Sequence, residues 1–149
     1  MSTYTETIST KLNELLERTY DAEKGFKKAA ENTEHTYLKR YFERKSLERH
    51  NFANELNSEI RSYGESPEES GSMAGTAHRA WMDVKALFSV DNDESMLEEA
   101  IRGEKTALDD YNDVINDNSL PLSTESILIK QRDAIAHDLN AIKRLEDLH

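Results

Sequence analysis

Apolar residues recur along this chain at intervals of three and four, the spacing that lines one face of an α-helix. In a first segment, from about Thr5 to Asn32, Leu12, Leu16, Thr19, Glu23, Phe26 and Ala30 follow it. A second, from about Thr36 to Tyr63, carries Leu38, Phe42, Phe52, Leu56 and Ile60, with Gly64 placed to cap its C-terminus. The third, from about Glu94 to Asn116, carries Leu97, Ile101, Glu104, Leu108, Tyr111 and Ile115. The fourth starts near Ser123 or Thr124 and runs almost to the end, through Leu128, Gln131, Ile135, Asp138, Ile142 and Leu145. A shorter helix is predicted from Ser72 to Phe88, with Met73, Ala77, Trp81, Val84 and Phe88 on one side.

Turn chemistry separates these segments. Asn32 to His35 has no apolar period, Glu65 to Gly71 holds Pro67 with two serines and three acids, and Asp117 to Leu122 contains Pro121. Helices of more than about 20 residues exceed about 30 Å, long enough to share one continuous core. The pattern predicts an all-α chain, one domain over residues 1–149, built as a four-helix bundle with a short extra helix between its second and third long helices. The long link there predicts a crossover connection.

Composition narrows the function classes. The 149 residues contain no cysteine, so there is no disulfide and no thiolate metal site. A net charge of −11 repels phosphate backbones and anionic membranes, which argues against nucleic acid and membrane partners. No apolar run is long enough to span a bilayer and no signal peptide is evident, so the chain reads as cytoplasmic. Nucleophile triads, phosphate loops and dinucleotide fingerprints are also missing.

The chemistry is carried by polar residues standing on the apolar stripes. Glu23, Glu104, Gln131 and Asp138 occupy such positions, as do Lys45 and Arg49 in the second segment, with Glu48 beside them. Burying an unpaired charge is very costly, so these groups need partners. One solution is a buried polar layer in which Lys45 and Arg49 neutralise the acids. The other is a metal. Ferritin-like di-iron bundles use a glutamate from each of two helices and Glu-x-x-His from each of the others. Glu23, Glu48, Glu104 and His137 are the candidate ligands, for iron or manganese. The ligand set is incomplete: Asn51 stands three residues after Glu48, and Ala134 three before His137. The ion-pair layer without a cofactor is therefore the leading reading.

The stretch from Tyr20 to Phe26, with Glu48-Arg49 and Phe52-Ala53, resembles a bacterial family of ferritin-like four-helix-bundle domains of unknown function. The resemblance is strongest from Glu68 to Ser72 with Gly75, then His78-Arg79 and Trp81-Met82-Asp83, and extends to Arg102-Gly103-Glu104, Tyr111, Gln131 and His137-Asp138. It implies a ferritin-like fold without an assigned activity. The expected function is a non-catalytic or weakly metal-binding bundle acting through assembly or stress-related binding. The first alternative is an altered di-metal redox or peroxide enzyme, the second an interaction module presenting the Trp81 helix. Because that short helix is apolar over a wide arc, a homo-oligomer with Trp81 at its interface is expected.

Overall fold

The computed structural model describes residues 2–67, 93–117 and 119–148. Four α-helices and a short 3₁₀ turn make up their regular structure, with no strand among the described residues. They are α1 (Ser2–Glu31), α2 (Thr36–Ser62), α3 (Asp93–Asp117) and α4 (Leu122–Ala141), followed by the turn Leu145–Asp147. The short helix predicted over 72–88, and Trp81 with it, lies outside the described residues.

Local chemistry sets the helix ends. The Nδ1 atom of His35 accepts the backbone N–H of Leu38 at 3.2 Å and caps α2. At the other end Gly64 has φ of +78°, the left-handed conformation a glycine tolerates after a helix, and its N–H reaches the carbonyl of Arg61 at 2.9 Å. The start of α4 is fixed from outside: the Ser123 and Thr124 hydroxyls donate to the Glu59 carboxylate of α2, at 2.9 and 2.6 Å.

The fourth segment departs from its pattern. Helix α4 ends at Ala141, and Ile142 is extended, although the apolar spacing continues. Carboxylates take over the backbone donors there. Asp147 accepts the N–H groups of Lys143 and Arg144, at 2.9 and 3.1 Å, and Glu94 of α3 accepts that of Leu145 at 3.1 Å. Ile142 and Leu145 still pack on the core, but from beyond the end of α4, Ile142 in extended chain and Leu145 in the 3₁₀ turn.

Cross-helix contacts give the topology. Phe26 meets Phe42, Glu23 meets His50 and Tyr20 meets Asn57, so α1 and α2 run antiparallel. Lys45 bonds Asp138, Gln131 reaches the Phe52 carbonyl and Glu59 meets Thr124, so α2 and α4 are antiparallel in one constant register. Thr33 at the end of α1 bonds Asp93 at the start of α3, whereas the end of α2 lies beside the start of α4, where Tyr63 meets Thr124. The chain thus leaves α2 at one end of the bundle and enters α3 at the other, a crossover as expected. Both α1 with α2 and α3 with α4 pack as pairs.

The apolar core is divided. One cluster gathers Phe26, Leu38, Phe42, Leu97 and Ala100; the other gathers Leu12, Leu16, Leu56, Ile60, Leu128 and Ile135. Between Phe42 and Phe52 on α2, and between Ala100 and Tyr111 on α3, stand the charged residues.

Candidate functional site

Lys45 and Arg49 lie one turn apart on α2, and both point into the bundle. The Lys45 side chain is 0 % exposed and that of Arg49 2 %. The Lys45 ammonium donates to Glu48 at 2.8 Å and to Asp138 of α4 at 2.7 Å. It also lies 3.1 Å from Oε2 of Glu104 on α3, an ion pair too bent to be a hydrogen bond. Arg49 donates to Glu48 at 2.9 Å and, more closely, to Oε1 of Glu104. Its guanidinium is stacked between two rings, 5.7 Å from the centroids of both Phe26 and Phe52. On the outer side Arg44 donates to Asp138 at 3.2 Å. Arg44, Lys45 and Arg49 balance Glu48, Glu104 and Asp138, so the cluster is neutral as a whole.

Titration follows from this arrangement. Burial opposes the Lys45 ammonium, but Glu104, Glu48 and the bond to Asp138 outweigh it and hold its pKa above the ordinary lysine value. Arg49 is raised for the same reasons, with burial again opposed chiefly by Glu104. Burial would lift Asp138, yet its bond to Lys45 and the nearby Arg44 charge hold it below the usual carboxylate range. Tyr41, buried beside the cluster, is pushed well up by desolvation, reinforced by the charges of Glu104 and Asp138.

A second polar group adjoins the first. The Tyr111 hydroxyl donates to Oε1 of Gln131, and the Gln131 amide donates to the Phe52 carbonyl at 3.3 Å and to Glu55 at 2.9 Å. Both the carbonyl and the amide of this fully buried glutamine are therefore satisfied. Against the Arg49 side, between α1 and α3, a cavity of about 20 Å³ is lined by Thr19, Ala22 and Tyr111. That is room for roughly one water.

The structure thus gathers Lys45, Arg49, Glu104 and Asp138, with Glu48, and places Gln131 in the adjoining group. Glu23 is elsewhere. The core-facing position on its turn of α1 is taken by Ala22, one residue away, which rotates Glu23 to the bundle edge. There its carboxylate meets Nδ1 of His50 at 3.1 Å. His137 is exposed, on the outer side of α4. Of the four candidate metal ligands, only Glu48 and Glu104 come together. Among the described residues no group of three or more His, Cys, Asp or Glu is placed to hold a metal ion.

Arg44 and Glu55 escaped the reading by stripes. A weaker signal was present: Arg44, Glu48, Glu55 and Glu59 are spaced four, seven and four, hence on one face of α2. Three of these meet α4 directly, Arg44 at Asp138, Glu55 at Lys130 and Gln131, and Glu59 at Ser123 and Thr124.

No helix among the described residues is long and apolar enough to cross a membrane. No curated protein matches the chain. Residues 7–117, well over half of its length, match the family described as Domain of unknown function (DUF2383). They span α1, α2 and α3 and so include Lys45, Glu48, Arg49 and Glu104, and the chain belongs to that family.

Proposed function

We propose that this chain is a non-catalytic, ferritin-like bundle that acts in the bacterial cytoplasm through assembly or stress-related binding, and that takes up metal weakly at most. The crossover between α2 and α3 supports the ferritin-like reading. The observation that carries the functional reading is the Lys45 ammonium, fully buried and surrounded by Glu48, Glu104 and Asp138 at 2.7–3.1 Å. In a di-metal bundle, inward carboxylates from several helices share divalent cations. Here the cations they share are the side chains of Lys45 and Arg49. These residues do not fit a di-metal centre: the charge is already balanced, and Glu23 and His137 stand apart. The cavity beside Arg49 is also too small for a substrate.

The test is metal titration of the protein isolated from its own host, with iron and manganese followed by elemental analysis. Sub-stoichiometric metal, unaffected by Glu104→Ala, is the expected result. A full pair of iron atoms per chain, with turnover of peroxide, would overturn this reading in favour of an altered di-metal enzyme. Assembly is tested separately by light scattering. A homo-oligomer that Trp81→Ala dissociates supports it, and a monomer at high protein concentration refutes it.

A further inference from the structure

We propose that a cleft between the start of α2 and the chain following α4 binds a small oxyanion, a phosphate or carboxylate carried on a flat apolar body. The cleft encloses about 360 Å³, a volume in the range of small-molecule sites. Tyr37, Arg40, Tyr41 and Arg44 form its α2 wall, and Ile142 and Leu148 form much of the other.

Two of these residues supply the charge. Arg40 and Arg44 are four apart on one helix, so their side chains rise from the same face. Each guanidinium is held over a tyrosine ring, Arg40 over Tyr37 at 5.9 Å and Arg44 over Tyr41 at 5.5 Å to the centroid. The stacking pre-orients both forks and leaves their edge N–H donors available. Arg40 has no carboxylate within ion-pairing distance among the described residues. Arg44 spends one N–H on Asp138, and half of its side chain is exposed. A guanidinium fork matches the paired oxygens of a carboxylate or phosphate. Asp147 also lines the cleft, but its Oδ2 is engaged by the Lys143 and Arg144 N–H groups. Asp138 offsets the Arg44 charge, so the cation open to a ligand is Arg40, with Arg44 adding N–H donors, in a protein whose net charge is −11.

The apolar part of the ligand follows from the rest of the lining. Tyr37 is 46 % exposed and leaves aromatic surface beside the Arg40 guanidinium, and Leu148 and Ile142 line the opposite side with aliphatic groups. The cleft also shares Tyr41 and Arg44 with the central cluster, so an occupant competes with Asp138 for Arg44.

The experiment is an amide-shift NMR titration of the full chain with phenyl phosphate, benzoate and inorganic phosphate, at constant ionic strength. Saturable shifts confined to residues 37–44 and 142–148 are expected, with phenyl phosphate binding more tightly than inorganic phosphate. Saturation by phenyl phosphate alone assigns the head group as phosphate, and by benzoate alone as carboxylate. Arg40→Gln is expected to weaken binding at least about tenfold, which is about 1.4 kcal/mol, without changing the unfolding midpoint. Arg40→Lys should recover part of the loss. Failure of both aromatic ligands to saturate, or equal affinity in Arg40→Gln, overturns the proposal.

Discussion

Replacing Arg49 by methionine tests whether the bundle centre is a closed set of charges. Arg49 supplies the closest contact to Glu104, whose side chain is 2 % exposed. Methionine keeps the apolar stem between Phe26 and Phe52 but withdraws the charge. Glu104 is then left with Lys45 alone, at 3.1 Å, and Lys45 is already shared with Glu48 and Asp138. The cluster passes from neutral to one net negative charge in the bundle interior. Breaking a buried pair by removing one partner costs about 3–5 kcal/mol. The surviving Lys45 contact argues for the lower end, about 3 kcal/mol. Glu104→Gln creates the opposite imbalance and should cost a similar amount. Combining them restores neutrality, so the double variant should recover about 2 kcal/mol relative to the sum of the singles. Urea unfolding followed by circular dichroism reads these values as midpoint shifts at constant slope. Single losses below about 1 kcal/mol that add without coupling are the behaviour of exposed pairs and would refute the buried-cluster argument.

The remaining predictions follow from caps and titration. Gly64→Ala places a Cβ on a residue at φ of +78° and should cost about 1–2 kcal/mol with no other change, since nothing crowds the position; an unchanged thermal midpoint would refute it. His35→Ala removes the acceptor for the Leu38 N–H and should cost about 1 kcal/mol, lowering the midpoint by roughly 2–4 °C. In acid, the contribution of Asp138, whose pKa is lowered in the folded chain, is present above its ordinary value of 3.8 and is lost as pH falls through the folded value. In alkali, Lys45 and Tyr41 are raised by folding, so the unfolded chain releases their protons first. Their contribution is complete below the unfolded values of 10.5 and 10.0 and is lost as pH rises beyond them. Denaturant titrations from pH 3 to 11 should therefore show a plateau at neutral pH with a fall on both sides, and stability rising above about pH 10 would contradict the ion-pair assignment.

Much of the fold was legible because helix periodicity and caps are local. The second segment, expected over 36–63, forms Thr36–Ser62, and Gly64 adopts the left-handed conformation that its position suggested. The crossover was legible from the length of the link between the second and third helices. The end of α4 was not. Ile142 and Leu145 keep helical spacing, and the helix stops where Asp147, three and four residues ahead, and Glu94, from α3, accept backbone N–H groups that another helical turn would have used. A side chain reaching from α3 leaves no mark in the local pattern of α4.

The central site was legible for a different reason. A polar or charged group on an apolar stripe violates the rule that shapes its neighbours, and Lys45, Arg49, Glu104, Gln131 and Asp138 stand out by that violation. Glu23 met the same criterion and failed it in space, because Ala22 fills the stripe equally well and alanine beside glutamate leaves the helix phase ambiguous by one residue. Arg44 and Glu55 broke no rule, since a charge flanking a stripe is what a solvated face also shows. They nevertheless extend the buried cluster into a polar seam along α2 and α4, from Arg44 with Asp138, past Glu55 with Gln131, to Glu59 with Thr124. This seam gives the cluster a structural reason to exist. Two apolar clusters of leucine, isoleucine and phenylalanine would pack nearly as well after α4 slipped by one turn against α2. Such a slip would leave Asp138, Gln131 and Glu59 opposite the wrong partners, with the buried Lys45 and Gln131 unsatisfied. Charges that add little net stability can in this way select one register among several.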